Sequence, residues 1–252
     1  MLAPDLIGSR SHRVYELALR LDQTLIADMP LFEGFEASAL EEILERAHAA
    51  HYPKGKVVFS QNENAHSFFL LLHGRLRVTQ VTPHGEQIVV RFVNPGDLFG
   101  IALAIGRTTY PGTATAAADS LALVWPSAAW PGIMAAHPSL AANAMRMVGS
   151  RLQEAHQRVR ELSTEDVERR LAHTVLKLAH DAGVAKKNGV EIDFPVSRQD
   201  LAEMTASTLH TVSRIMSSWE AAGIVESGRQ RVAIRDEGRL RTIAEGSEDS
   251  GD

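Results

Sequence analysis

The sequence predicts an α+β protein with three parts: an N-terminal β-roll, a long dimerisation helix and a C-terminal winged helix-turn-helix. Short β-rich runs separated by Gly and Pro fill residues 51–125, a pattern typical of an antiparallel roll or barrel. An uninterrupted heptad pattern over residues 138–162 indicates a helix that pairs with a second helix. A helix start signal and a helix with one polar face follow within residues 197–219. The chain has 252 residues, of which 44% are apolar, enough for two cores.

Composition excludes several classes of protein. The chain contains no cysteine, which excludes disulfides, thiolate zinc sites, cysteine-ligated iron–sulfur clusters and cysteine nucleophiles. Because no H-E-x-x-H, G-x-S-x-G or P-loop motif is present, we expect a protein that is not an enzyme. No apolar run approaches the roughly 20 residues that span a bilayer, and no signal-peptide core is found, so we expect a cytoplasmic protein. The net charge of −5 argues against coating nucleic acid through overall charge but permits a local basic face.

The N-terminal half is predicted to be an arm followed by a sensor domain. Residues 1–27 form the arm, with a weakly amphipathic helix, and a second helix covers residues 37–49. The sensor domain, residues 28–136, contains the runs KVVFS, SFFLLLHG, RLRVTQV, EQIVVRFV, GTATA and SLALVW. Their spacing predicts a small antiparallel barrel. We expect its core to include Phe68, Leu70, Leu72, Val89 and Phe92.

A heptad seam defines the dimerisation helix, residues 137–163. Its apolar positions alternate steps of four and three residues: Ala141, Met145, Val148, Leu152, Ala155, Val159 and Leu162. Such a seam buries its side chains against another helix, and the rest of this helix is polar, so we expect a homodimer. The alternative is that the seam packs on the chain's own barrel.

The DNA-binding region is predicted over residues 164–240. Ser163 or Thr164 is expected to cap a helix that ends near Gly183, and a polar loop, AKKNG, follows. Ser197 and Asp200 then match a capping box, so a helix begins immediately after Ser197.

A second helix and a wing complete this region. The helix carries an apolar stripe that consists of Leu209, Val212, Ile215, Met216 and Trp219. We expect Trp219 to be a core residue. Two short strands, with a turn at Ser227-Gly228, predict a wing. Residues 241–252 are predicted to form a C-terminal tail, which is polar and acidic from Gly246.

The order of these parts resembles the Crp/Fnr superfamily of bacterial transcription regulators, over residues 28–240. The resemblance rests on five sequence segments: LLLHGRLRV, VNPGDLFG, SRQDLAEMT, TLHTVSRI and GIVESGRQRV. The segment TLHTVSR further resembles the corresponding segment of the nitric-oxide-responsive denitrification regulators. The resemblance implies a cyclic-nucleotide-binding-like β-roll and a homodimeric activator that binds double-stranded DNA at a pseudo-palindrome. RNA polymerase would be its downstream partner.

The resemblance also implies residue roles in DNA recognition. Arg214 matches the arginine that takes a guanine edge, and Ser213 matches a serine near a thymine methyl group. His210 stands where most members carry glutamate, so this position should prefer another base, a phosphate or a water. Leu209 replaces the arginine of the cyclic-AMP-responsive branch. The expected phosphate contacts are Ser197, Gln199, Thr208, Arg229 and Arg231. Arg214, His210 and the two wing arginines could alternatively be plain surface residues.

The effector is the least determined property. Family members that bind cyclic nucleotides hold the ribose with a glutamate after the GD-x-x-G turn and the phosphate with an Arg-Ser or Arg-Thr pair. Here Gly100 is followed by Ile101-Ala102-Leu103, and the phosphate position falls near Tyr110-Pro111. Because a buried phosphate without a cation is costly, we expect an effector other than cyclic AMP. Arg107 is the nearest cation that could restore binding.

Haem stays open as a cofactor, with nitric oxide as its signal, because the chain has 11 histidines. Ala102 stands near where the carbon-monoxide-sensing member of the family supplies its histidine. The alternative ligands are His12, His51, His66, His73 and His84. Two further alternatives are a regulator controlled by its abundance alone and a regulator that does bind a cyclic nucleotide.

Overall fold

The computed structural model describes residues 26–246, so the predicted arm helix, His12 and the acidic tail after Gly246 lie outside the described residues. Two four-stranded antiparallel sheets form the predicted roll, in the orders β1-β8-β3-β6 and β2-β7-β4-β5. The strands are β1 (His48–Tyr52), β2 (Val57–Phe59), β3 (Ser67–His73), β4 (Leu76–Val81), β5 (Gln87–Val93), β6 (Leu98–Phe99), β7 (Thr113–Ala116) and β8 (Ser120–Pro126). The α+β fold class is confirmed.

The helix predicted over residues 37–49 is too long. Helix α1 (Ala37–Leu44) ends four residues before β1, which pairs with β8 in a register that joins Ala50 to Ala122. The segment HAAHY contains good helix formers, but backbone pairing with a buried strand overrides that local preference. The two-residue strand β6 was not predicted either.

The roll has one core between its sheets and a second under its helices. Inside the roll, Phe59 stacks on Tyr110 with 3.8 Å between the ring centroids, and it packs against the tilted ring of Phe69. Of the five predicted core residues, four are buried and Leu72 is half-buried. The prediction for Val89 and Phe92 needs a correction, because both pack against the winged domain.

The predicted long helix is confirmed, and it extends slightly further. Helix α2 (Trp130–Ala136) leads into α3 (Pro138–Thr164). Ser163 and Thr164 lie inside α3, where their hydroxyls donate to the carbonyls of residues 159 and 160 at 2.8 and 2.9 Å. They therefore do not cap the next helix, α4 (Val167–Ala182). Asp166 caps it, because its carboxylate accepts from the amide of Arg169 at 2.9 Å.

The C-terminal domain is a winged helix-turn-helix, as predicted, but its last helix continues to Glu245, so residues 241–245 belong to the domain and not to the predicted tail. Helices α5 (Arg198–Met204), α6 (Leu209–Ala221) and α7 (Glu237–Glu245) pack with a sheet in the order β11-β12-β10-β9. The strands are β9 (Gly183–Lys186), β10 (Gly189–Ile192), β11 (Val225–Gly228) and β12 (Arg231–Ile234). The predicted AKKNG loop is instead part of the β9–β10 hairpin.

The turn of the wing also lies two residues later than predicted. Gly228 pairs with Arg231, which leaves Arg229 and Gln230 as the turn, and Gln230 has a φ of 59°. Ser227 and Gly228 belong to β11.

Candidate DNA interface and effector pocket

The helix-turn-helix begins with the predicted capping box. The Ser197 hydroxyl accepts from the amide of Asp200 at 3.1 Å, and the Asp200 carboxylate accepts from the Ser197 amide at 2.9 Å. The same hydroxyl donates to the carboxylate at 2.6 Å, which uses its only proton. Ser197 is therefore fully engaged in starting α5, which argues against the phosphate contact predicted for it.

The turn between α5 and α6 is tight. Thr205 is buried and its hydroxyl donates to the carbonyl of Leu201 at 2.8 Å. Ala206 has a φ of 50°, a left-handed conformation that is strained for a residue with a Cβ atom. The Thr208 side chain then caps α6 by accepting from the amide of Thr211 at 3.1 Å.

Helix α6 has one buried and one exposed face. Val212, Ile215, Met216 and Trp219 form the buried stripe, and the Trp219 indole donates to Glu168 at 2.8 Å. Leu209 does not belong to this stripe, because it is 47% exposed at the first position of the helix, beyond the edge of the core.

The exposed face of α6 carries the predicted readout residues. His210 and Arg214 are exposed on consecutive turns, and Ser213 is half-exposed beside them. Gln199 on α5 is exposed as well, and its amide donates to Glu203 at 3.0 Å. The structure thus brings Leu209, His210, Ser213 and Arg214 together on one solvent-facing surface.

Arg198 holds the two helices and the wing together, a role that was not predicted. Its guanidinium donates to both carboxylate oxygens of Glu220 at 3.1 Å, to the Ser227 hydroxyl at 2.9 Å and to the Ser213 carbonyl at 3.3 Å. A cation in the first turn of a helix opposes the helix dipole. This unfavourable placement is the signal that could have identified Arg198 as a bound side chain.

The two wing arginines differ. Arg229 lies exposed in the turn. Arg231 instead makes two parallel hydrogen bonds of 2.8 Å with the Glu191 carboxylate, and it reaches Glu226 at 3.4 Å. The hydrogen bond from Arg231 lowers the pKa of Glu191, and the same bond raises the pKa of Arg231. Arg231 is therefore already neutralised, which weakens its predicted phosphate role.

The heptad seam of α3 is open in the single chain. Met145 is 71% exposed, Leu152 56% and Val159 60%, and Ala155 and Leu162 are exposed too. Ala141 and Val148 are half-buried. The alternative that the seam packs on the chain's own roll is therefore wrong for most of its length. Not all other faces of α3 are free, because Arg151 and Arg158 bind the roll.

A cavity of about 270 Å³ lies between the roll and α3. Its wall is mostly apolar and includes Phe59, Phe99, Ile101, Ala102 and Tyr110. From α3 the cavity is lined by Met147, Val148 and Arg151.

Two arginines at the cavity correct the expectation that it lacks a cation. Arg91 and Arg151 both line it, and both donate to Asp97, from Arg91 at 3.3 Å. Arg107, the predicted nearest cation, is exposed in the loop and is not part of the wall. None of the described wall residues is acidic or a histidine. His51, His66, His73 and His84 are all exposed.

The winged domain docks on strand β5, next to this cavity. Phe92 lies 4.8 Å from Phe194 between ring centroids, and Arg77 forms an ion pair with Asp200. Arg158 of α3 connects β5 to the winged domain, because it donates to the carbonyls of Val90 and Met204. Burial lowers the pKa of Arg158. Strand β5 thus touches the cavity through Val90 and Arg91 and the winged domain through Val89 and Phe92.

Among the described residues, no helix is long and apolar enough to cross a membrane, and no three histidine, aspartate or glutamate side chains converge as a metal site.

Comparison with known proteins accounts for both domains. Residues 49–137 match the cyclic nucleotide-binding domain family, and residues 169–243 match the Crp-like helix-turn-helix domain family. A cyclic AMP receptor protein of Thermus thermophilus is 26% identical over 217 residues, which cover 86% of this chain and 97% of that protein. The nitrogen fixation regulation protein FixK of Bradyrhizobium diazoefficiens is 24% identical over 211 residues, or 84% of this chain and 88% of that protein.

A solved structure, FixK2 from Bradyrhizobium japonicum, shares the fold. Its TM-score is 0.69 at 22% identity, over 78% of this chain and 96% of that chain. The two family matches flank α3 and follow the order of roll, long helix and winged domain. The chain belongs to the Crp/Fnr family of DNA-binding transcription regulators.

Proposed function

We propose that the protein is a homodimeric regulator that binds a pseudo-palindromic DNA site and responds to an effector other than cyclic AMP. The observation that carries this proposal is the outward face of α6, where Leu209, His210, Ser213 and Arg214 share one surface while the opposite face fills the core. A helix of this kind enters the major groove.

The open seam of α3 supports the homodimer. Met145, Leu152 and Val159 would lose most of their exposed apolar surface against the same residues of a second copy. A two-fold dimer places its recognition helices about 34 Å apart, so each α6 reads one half-site of a pseudo-palindrome.

Arg214 is the proposed guanine contact, because its guanidinium is exposed and can donate two parallel bonds to O6 and N7. Ser213 and Leu209 offer small or apolar contacts to a thymine methyl group. His210 reads a further base, a phosphate or a water. Gln199 and Thr208 contact phosphates, and Arg229 adds salt-dependent affinity from the wing. Ser197 and Arg231 contribute less than their positions in the sequence suggested.

The cavity is the proposed effector site. A cyclic nucleotide would need an acidic partner for its ribose, yet none of the described wall residues is acidic. Tyr110 occupies the expected phosphate position as a buried ring, and its hydroxyl donates to the Ser67 carbonyl at 2.7 Å. No histidine among the described wall residues faces the cavity, which argues against haem and a haem-mediated nitric oxide response there.

The same cavity suggests how a signal reaches the DNA. Val148 and Arg151 belong to both the cavity wall and the dimerisation helix, and β5 joins the cavity to the winged domain. An effector that shifts α3 or β5 therefore changes the spacing of the two recognition helices, a small two-state change with a large effect on DNA affinity. Acting on DNA as an activator, the protein would work in the cytoplasm and contact RNA polymerase.

Fluorescence anisotropy on selected and scrambled DNA duplexes, over a range of salt concentrations, tests these roles. Arg214→Ala should lose about 1–3 kcal/mol of discrimination between the two duplexes. Arg229→Ala should weaken binding to both duplexes equally. It should also lower the slope of log affinity against log salt concentration by about 1. Equal losses on all sequences in both variants would refute this division of roles.

A further inference from the structure

The effector cavity combines an apolar wall with two arginines that share one anion. Phe59, Val78, Phe99 and Ile101 supply apolar wall, and Gln80 is already bonded to the carbonyl of Pro111 at 2.9 Å. Because Gln80 and Tyr110 are the uncharged polar side chains of the described wall, and both already donate to backbone carbonyls, a mostly apolar ligand body matches the cavity.

Arg91 and Arg151 provide the charged end. Asp97 accepts from both guanidiniums, and Arg151 also donates to Glu154 at 3.0 Å. In the described structure, Asp97 is the only hydrogen-bond partner of the Arg91 guanidinium, although a guanidinium has five N–H donors. Burial and the positive charge of Arg151 lower the pKa of Arg91. A ligand carboxylate at this point could accept from the donors of the Arg91 guanidinium that Asp97 does not use.

From this geometry, and resting on the proposed role of the cavity as effector site, we propose that the ligand is a small apolar monocarboxylate held between Arg91 and Arg151. Its carboxylate forms charge-assisted bonds with the guanidiniums and competes with Asp97 for them. Its apolar body lies against Phe99, Ile101 and Val148.

The size of the cavity limits the body. A volume of about 270 Å³ holds about nine waters at about 30 Å³ each, so a ligand of roughly ten non-hydrogen atoms fills it. A chain such as octanoate matches this size.

Binding would act on the dimerisation helix through Arg151. This side chain is one residue from Leu152 on the open seam, and it now ties α3 to Asp97, in the turn after β5. A ligand carboxylate that takes over this bond releases α3 from that turn.

Titration calorimetry of the full chain with sodium hexanoate, heptanoate and octanoate tests the proposal. Affinity should rise about fourfold per methylene group, and 1-octanol should bind at least about tenfold more weakly than octanoate. Arg91→Gln and Arg151→Gln should each lose about tenfold or more. Arg107→Gln, an exposed arginine outside the wall, serves as the matched control and should bind octanoate like the wild type.

Asp97→Asn should change the affinity for octanoate in the opposite direction. Because this variant removes the competing anion, it should bind octanoate more tightly than the wild type does. Weaker octanoate binding by the folded Asp97→Asn variant would overturn the proposed competition with Asp97. Octanol binding as tightly as octanoate, an unchanged affinity in Arg91→Gln, or no saturation with octanoate below about 1 mM would overturn the proposal. DNA anisotropy on the same samples separates this failure from failure of the proposed function, since sequence-specific DNA binding by the wild type would persist.

Discussion

Replacing Leu152 by Ala should dissociate the dimer without unfolding the chain. Leu152 occupies the middle of the open seam of α3, and 56% of it is exposed in the single chain. The change removes three carbons per chain, each worth about 0.8 kcal/mol when fully buried. Scaled by the exposed fraction, the loss is about 1.3 kcal/mol per chain and about 2.7 kcal/mol for the two copies in a dimer. This corresponds to about a 100-fold higher dimer dissociation constant.

Sedimentation equilibrium over a range of protein concentrations measures this constant directly. Gln153→Ala is the matched control, because Gln153 is the neighbouring exposed residue but lies off the seam. Thermal unfolding should be alike for the two variants once both are monomeric, since neither side chain contributes to the described core. Equal dissociation constants for Leu152→Ala and Gln153→Ala, or a wild-type protein that stays monomeric, would refute the role of the seam.

Three further predictions concern the DNA-binding domain. Glu191→Gln should release Arg231 to a phosphate and raise the salt slope of DNA binding by about 1; an unchanged slope would show that Arg231 stays away from DNA. Ala206→Gly should raise the free energy of unfolding in urea by about 0.5–1 kcal/mol, because glycine accepts a φ of 50° without strain, and a decrease would contradict that reason. Arg158→Gln should speed amide exchange in α5 by about tenfold or more, since it removes charged hydrogen bonds between β5 and α5; unchanged exchange would argue against a connecting role.

Local patterns in the sequence were enough for the elements that local chemistry determines. The capping box at Ser197, the long helix that begins at Pro138 and the buried Trp219 follow from spacing alone. Strand β1 was missed because His48–Tyr52 has no strand pattern of its own and becomes a strand only by pairing with β8. The cap of α4 was misplaced because Ser163, Thr164 and Asp166 are all good caps, and only the path of α3 selects among them.

The sites depended on contacts between distant parts of the chain. Arg91 and Arg151 meet at Asp97 although 60 residues separate them, so the sequence alone suggested a cavity without cations. Likewise, Glu191 removes Arg231 from the free wing surface through a pairing of β10 with β12. By contrast, the outward positions of His210 and Arg214 were predictable, because helical periodicity and one buried stripe determine them.

Selection of bound DNA from a random pool, with wild type and Arg214→Ala in parallel, tests the central claim most directly. The wild type should enrich a pseudo-palindrome whose half-sites are centred about one helical turn apart, with a guanine that the Arg214→Ala pool no longer requires. A single, non-palindromic site, or the same guanine preference in both pools, would contradict the claim that a two-fold symmetric dimer recognises DNA through Arg214.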